Sequence, residues 1–384
     1  MKIPENVKIA LDLLDKAGFE AFLVGGCVRD SLMGRLPYDY DMTTPSTPDE
    51  TKAVFEGFSV FLQGEKHGTV GVIINGEKLE ITTHRCDGEY LDHRRPESVT
   101  FSRRLADDLS RRDFTVNAMA YSEKTGLVDL FGGREDIENG VIRCVGDPDR
   151  RFDEDALRIL RALRFSSKLG FGIEENTKKS IFKNAHLLRM VSAERIRDEM
   201  EKLVCGKNAD GVVKEYREIL ELLFGEVDTE LFSSGINRLE DPCDRLALFF
   251  CATDGDGIFR LKFSNELSSF YKKTRRLFFE KRLETKYELK KAVSDNGESA
   301  LLCALRLKGE TDTLSLLKKM LADGECMHRR DMKINGSDLA SIGFAQGTLM
   351  GYVLDTLFEL VLRDELENDR EKILEYAVKL RETH

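Results

Sequence analysis

The chain has 384 residues, 41% apolar and 33% charged, with a formal net charge of −10. That is an ordinary soluble composition, and the length calls for two or three packed units. No stretch reaches the ~18 apolar residues of a membrane helix, and the N-terminus MKIPENVKIALDLLDK lacks a signal-peptide core, which argues against secretion. Eight scattered cysteines without a CxxC pair exclude a zinc ribbon or a disulfide scaffold; free, mostly buried thiols in a reducing cytoplasm are expected.

In chain order, residues 5–18 read as an amphipathic helix ending at Gly18. FEAFLVGG reads as a buried strand into a Gly-Gly turn, VRDSLMG as helix and DYDMTT as strand. A helix follows at 51–57, then strands at 58–62, 69–75 and 78–83, the last two joined through Asn75-Gly76, a hairpin signal. Residues 85–110 are polar and aperiodic and are expected to form a mobile loop, FTVNAMAYS a helix or strand, and TGLVDLFGG the end of a mixed α/β part. Beyond about residue 150 the period becomes helical: 153–169, 174–185, 192–204, 211–223, 240–252, 261–295, 298–306, 311–321 and 337–380. The expected fold class is α+β, with an N-terminal mixed sheet and an all-helical remainder.

The acidic total does not suggest a nucleic-acid binder, but charge acts locally because salt screens it within about 10 Å at ~0.1 M. Three windows are basic: 150–168 holds six Lys/Arg against three acids, 178–207 eight against four, and 271–291 nine against three. Each fits either an RNA-binding stripe or a solvated helix face.

Asp39 and Asp41 are two residues apart, so an extended chain presents both carboxylates on one side, where they repel unless a cation lies between them. Hard oxygen ligands suit Mg²⁺, which also takes phosphate oxygens. Upstream, Gly25 and Gly26 let backbone N–H groups approach a phosphate, and Arg29 offers a charged fork. Arg111, Arg112 and Asp113 repeat the theme: the arginines suit phosphates, and Asp113 suits either a ribose hydroxyl or a helix N-cap. Asp155 and Arg158 form either an ordinary i,i+3 surface pair or a base reader. A carboxylate only accepts and a guanidinium only donates. Held rigidly, the pair matches the amino donor and ring-nitrogen acceptor of cytosine and adenine, and mismatches guanine and uracil. Arg161 and Arg164 turn away round the helix, toward phosphates or RNA.

LVGGCVRDSLMGRLPYDYDMTT, EITTHR, RRDFTVNAMA, DLFGG and RFDEDALRILRALRF, in that order, resemble the class II CCA-adding enzymes, tRNA nucleotidyltransferases of the same superfamily as bacterial poly(A) polymerases. The resemblance spans roughly 20–205, with ERIRDEMEKLV matching a further basic element. It implies a nucleotidyltransferase palm or head (1–140), a helical neck that reads the base (141–205), a helical body (206–325) and a tail that binds tRNA (326–384). It implies Mg²⁺ on Asp39 and Asp41, a triphosphate on Gly26, Arg29 and Arg112, the base on Asp155 and Arg158, and further nucleotide contacts from Arg161 and Arg164. Glu80 matches as a third carboxylate near the metal, a weaker assignment, and Asp129 and Gly133 match a hinge.

The substrates implied are CTP, ATP and tRNA, gripped along acceptor stem and elbow, with Lys272, Lys273, Arg275 and Arg276 as candidate contacts that equally suit a solvated helix face. The long segment between EITTHR and RRDFT argues against a CC-only enzyme, and the acidic C-terminal segment against a poly(A) polymerase. Full CCA addition in the cytoplasm leads, with A-only addition or poly(A) synthesis as alternatives; the sequence leaves a homodimer open. A nucleotidyltransferase for small molecules should lack the EDxxR neck, and a non-enzymatic tRNA binder should have lost one of the paired aspartates.

Overall fold

A computed structural model describes residues 1–61, 68–88, 99–254 and 257–383; the stretch 89–98 of the expected mobile loop lies outside them. The chain divides into two compact units, Met1–Gly225 and Glu226–His384. Among the described residues no helix is long and apolar enough to cross a membrane, and all eight cysteines are free, five of them buried.

The first unit is built on a mixed seven-stranded sheet. Its strands are β1 (Phe22–Val24), β2 (Asp41–Thr44), β3 (Ser59–Phe61), β4 (Thr69–Ile74), β5 (Glu77–Thr83), β8 (Met119–Ser122) and β9 (Gly126–Asp129), in the order β3-β4-β5-β2-β1-β8-β9. β2 runs parallel to β5, and the other neighbours are antiparallel. The β4–β5 turn places Asn75 and Gly76 both at positive φ, +54° and +82°, as a two-residue hairpin requires. Helix α1 (Glu5–Lys16) lays Val7, Ala10 and Leu14 on a core shared with Leu23, Met42, Val72 and Ile81. Helix α2 (Gly26–Leu32) follows β1, and α3 (Pro48–Val54) is started by a Thr47/Glu50 capping box.

The described flanks of the expected 85–110 loop are ordered, which corrects that reading. β6 (Arg85–Asp87) pairs antiparallel with β7 (Val99–Phe101), and α4 (Leu105–Ser110) follows. Too few residues alternate or repeat in these short pieces to signal either period.

After β9 come α5 (Gly133–Asn139), β10 (Val141–Ile142), α6 (Pro148–Glu154), α7 (Leu157–Leu169), β11 (Gly172–Ile173), α8 (Glu175–Asn184), α9 (Ala193–Val204), α10 (Ala209–Glu215) and α11 (Arg217–Phe224). The predicted single helix 153–169 is therefore two. Asp155 is extended (φ −147°, ψ 101°), and its carboxylate accepts from Leu157 N, a local bond that competes with helix. The predicted 211–223 helix likewise divides, at Tyr216.

The second unit is all helical: α12 (Thr229–Ile236), α13 (Pro242–Cys251), α14 (Gly257–Arg260), α15 (Asn265–Phe279), α16 (Lys286–Asn296), α17 (Glu298–Lys308), α18 (Thr311–Ala322), α19 (Gly336–Ser341), α20 (Thr348–Leu362) and α21 (Arg370–Thr383). Val293, Leu301, Leu305 and Leu317 form one core, and Leu339, Leu357, Leu362 and Ile373 another. The predicted helix 261–295 breaks before Thr285, whose capping box with Glu288 starts α16. Residues 337–380 form three helices rather than one, with Gly343, Gly347 and Asp364 at positive φ in the breaks.

Asp129 and Gly133, the expected hinge, form a tight turn in which Asp129 accepts from the backbone N–H of Gly133 and of Arg134, both at 2.9 Å. A Cβ on Gly133 would stand 2.2 Å from the Thr115 carbonyl oxygen, with backbone on both sides of the clash. Gly133→Ala should therefore cost about 2–3 kcal/mol. Gly172→Ala, where a Cβ meets nothing within 4 Å, should change stability by less than about 0.5 kcal/mol. Urea unfolding of both variants checks this.

Candidate active site

β1 ends at Val24, and Gly25 (φ +74°) turns the chain into α2. Here glycine is needed twice, because a Cβ would also stand 2.9 Å from Arg112 Nη1. Gly26 opens the first turn of α2. Arg29, only 4% exposed, donates from Nη1 to Asn117 Oδ1 at 2.5 Å and from Nε to Asp30 at 2.9 Å.

β2 starts at Asp41, in register with Glu80 on β5. Asp39 precedes the strand rather than lying on it, and both aspartates are exposed residues. The Asp41 carboxyl is nonetheless pushed above the usual carboxylate range, first by burial on its inner side, then by the charges of Asp39 and Glu80, with Arg112 pulling the other way. The structure thus brings Glu80 to the aspartate pair, although it bonds Lys78 at 3.0 Å.

Two crowded hard-oxygen donors fit a Mg²⁺ ion, which is commonly held by one or two carboxylates and completed by substrate phosphates. Among the described residues no three His, Cys, Asp or Glu side chains close round a metal by themselves.

Arg111 and Arg112 leave α4 side by side and are held by Asp108, whose side chain is fully buried. Burial would raise the Asp108 carboxyl, but the two guanidiniums outweigh it and hold it below the ordinary range. Nearby, His84 is 1% exposed and shares a 2.8 Å hydrogen bond between Nδ1 and Thr43 Oγ1. Burial is the main cause that lowers its pKa to about 4, so it is neutral at pH 7.

Asp113 is neither free for a ribose nor an N-cap. One oxygen accepts from Phe114 N and Asn117 Nδ2, the other from Arg161 Nε and Nη2 at 2.8 and 2.5 Å. Burial opposes this charge, but Arg161 overrides it and the carboxyl falls to about 2.

Asp155 and Arg158 do not pair with each other through their side chains. Asp155 Oδ2 accepts from Arg195 Nη2 at 2.7 Å. Arg158 bonds Glu154 at 2.8 Å and the carbonyls of Arg151 and Arg111 at 3.3 and 3.2 Å. Arg164 Nε meets Glu199 as an ion pair at 2.7 Å, at an angle that makes no hydrogen bond, and Arg161 Nη1 lies 3.7 Å from the same carboxylate. Among the described residues, Arg112 Nε and Arg195 Nη1 are buried with no hydrogen-bond partner.

Several expected residues are therefore linked: Arg112 approaches Gly25 and acts on the charge of Asp41, Asp108 ties it to Arg111, and the Arg111 carbonyl meets Arg158. The sequence reading missed Asp108, Asn117, Arg195 and Glu199. Arg195 and Glu199 carried a signal, since a spacing of four on α9 puts both on one face toward α7. Asp108 stands three and four residues before Arg111 and Arg112, a helical spacing, but in a stretch without the periodicity that would have marked a helix there.

The family model described as "Poly A polymerase head domain" matches residues 21–143, the model described as "Probable RNA and SrmB- binding site of polymerase A" matches 170–229, and a model for tRNA nucleotidyltransferase domain 2 matches 255–377. The chain is 37% identical to the CCA-adding enzyme of Ligilactobacillus salivarius, across 99% of this chain and 98% of that one. It is 53% identical to that of Geobacillus thermodenitrificans over 193 residues, 50% of this chain and 47% of that one. The crystal structure of the Bacillus stearothermophilus CCA-adding enzyme in complex with CTP superimposes with a TM-score of 0.85 at 30% identity, covering 100% of this chain and 99% of that one.

A histidine kept neutral by burial binds fewer protons folded than unfolded between about pH 4 and 6.5, so its contribution to stability is present above 6.5 and is lost as pH falls through that window. The expected loss at pH 4 is about 3 kcal/mol. His84→Asn should flatten the fall in unfolding free energy between pH 6.5 and 4. Denaturant melts of both proteins across that range measure the difference; equal slopes would show that His84 is not the group responsible.

Proposed function

We propose how this site works on one premise: the chain belongs to the CCA-adding enzyme family, the tRNA nucleotidyltransferases. It adds C, C and A to the 3′ end of tRNA, using CTP and ATP. The terminal 3′-hydroxyl attacks the α-phosphate of the nucleotide, a new phosphodiester forms, and pyrophosphate leaves. The observation that carries the assignment of roles is the Arg112 guanidinium, which lies against the Gly25 turn and acts on the Asp41 charge. One side chain thereby joins a phosphate cradle to a carboxylate pair.

Asp39 and Asp41 would hold Mg²⁺, which when bound makes the attacking hydroxyl more acidic and neutralises charge on the phosphates. Gly26, Arg29 and Arg112 receive the triphosphate, and the arginines stabilise the negative charge that grows on the departing pyrophosphate. Asp155 accepts the exocyclic amino group of cytosine or adenine, and Arg158 donates to the adjacent ring nitrogen. Their support from behind favours this reading: Arg195 fixes Asp155, while Glu154 and two carbonyls fix Arg158. A rigid acceptor–donor pair rejects guanine and uracil because their pairing edges would set donor against donor and acceptor against acceptor. Arg161 and Arg164 complete the nucleotide site from the neck, residues 141–205.

Body (206–325) and tail (326–384) would grip tRNA by shape and backbone charge. Lys272 and Lys273 remain candidates there. Arg275 is less suited, since it donates to the carbonyls of Phe250 and Thr253, and Arg276 bonds Asn296. A cytoplasmic location agrees with tRNA as substrate.

Transcripts ending at the discriminator base, in C and in CC, each offered labelled CTP, ATP or both with Mg²⁺, test the function at single-nucleotide resolution. The expected result is C, C and A on the first transcript and then a stop. A single A on the CC-ended transcript alone would mean an A-adding enzyme, and long A tails a poly(A) polymerase. Asp39→Ala should lower addition at least ~10³-fold, about 4 kcal/mol of barrier, with tRNA binding kept. Arg158→Ala should admit GTP and UTP more than it weakens tRNA binding; continued rejection of both would remove the protein-template role.

A further inference from the structure

We infer that Phe165 is a positioning residue that links the triphosphate arginine Arg29 to the neck arginines Arg161 and Arg164, an inference that rests on the nucleotide-site reading above. Three guanidiniums lie near this one ring: Arg164 at 4.1 Å from its centroid, and Arg29 and Arg161 at 5.5 Å each. Arg29 comes from α2 in the head, whereas Arg161, Arg164 and Phe165 sit together on α7.

Like charges this close repel, and burial strengthens the repulsion. Carboxylates hold the cations from outside: Asp30 on Arg29, Asp113 and Glu199 on Arg161, and Glu199 on Arg164. The element common to all three is the Phe165 ring, whose electron-rich face attracts each guanidinium. The ring is itself fixed. It is 6% exposed and meets the fully buried Phe114 edge-on, at 5.8 Å and 78°. Phe114 in turn follows Asp113, the residue that clamps Arg161.

A leucine would fill most of the same apolar space but would have no quadrupole. If Phe165 served only as core, that exchange would cost stability and leave nucleotide affinity alone. As a platform, the ring lets a triphosphate drawing on Arg29 shift the balance at Arg161 and Arg164, so phosphate binding and the neck surface would be energetically coupled.

CTP and ATP binding to the full-length protein without tRNA, followed by titration calorimetry, tests this independently of catalysis. Phe165→Leu should raise the Kd of both nucleotides about tenfold, while Phe165→Tyr, which keeps the ring, should stay within about twofold of the native protein. Native-like Kd values for Phe165→Leu, or an equal loss in both variants, would overturn the inference. A second measurement does not need either variant to fold. In the native Phe165 background, Arg29→Ala and Arg164→Ala should raise Kd by factors whose product differs at least threefold from the double variant. Simple multiplication would sink the coupling. Absence of CTP binding by the native protein would count against the nucleotide-site reading itself, and the inference would fall with it.

Discussion

Asp108, accepting from both Arg111 and Arg112, is the interaction on which the rest of the site depends. A buried carboxylate with no partner is costly, and two adjacent guanidiniums with no counter-charge are equally unfavourable; together they satisfy each other. Because the carboxylate is fixed, Arg112 stays against Gly25, where its charge acts on Asp41. Because Arg111 is fixed, its carbonyl receives Arg158. The same device recurs along the neck, with Glu154 behind Arg151 and Arg158, Asp113 behind Arg161, and Glu199 behind Arg164. In the proposed mechanism these charges are thus oriented before any substrate arrives, so little reorganisation remains at the moment of reaction.

The residues proposed to touch substrate were legible in the sequence because their chemistry is short-range and motif-like. Asp39, Asp41, Arg29 and Arg112 sit within runs whose order and spacing already constrain what they do. Their supports were less legible. Glu199 and Asn117 act across long sequence separations, and although Asp108 meets its arginines three and four residues on, nothing in a surface-like acid announces that a fold will bury it. The split of the expected 153–169 helix has the same origin. Periodicity across Asp155 is intact, and only the bond from its carboxylate to Leu157 N reveals that the backbone leaves the helix there. Conversely, Asn75-Gly76 is a local signal that reads as a hairpin, whereas the Thr285/Glu288 box is an equally local one that the single helix expected at 261–295 passes over.

The helical second unit separates two meanings of a basic run. Positive charge along 271–291 looked uniform in sequence, but folding divides it. Arg275 caps carbonyls, and Lys290 is buried between Glu325 and Asp364, where it ties α16 to the segments following α18 and α20. Lys272 is exposed. Net charge in a window therefore overstates what a polyanion would meet.

The strand order also has a consequence for time rather than for chemistry. β1 is closed on one side by β2, a near neighbour in sequence, and on the other by β8, through Leu23 with Tyr121 and Val24 with Ala120. Pairing of such distant segments must wait on the closure of a long loop, and chains dominated by such pairings fold slowly. On a ribosome the central strand would stay open on that side until Ser122 has emerged. The aspartate pair and the glycine turn, carried by strands that emerge earlier, would wait for Arg112 and β8, and a nascent chain stalled before that point would lack the arginine that meets the glycine turn.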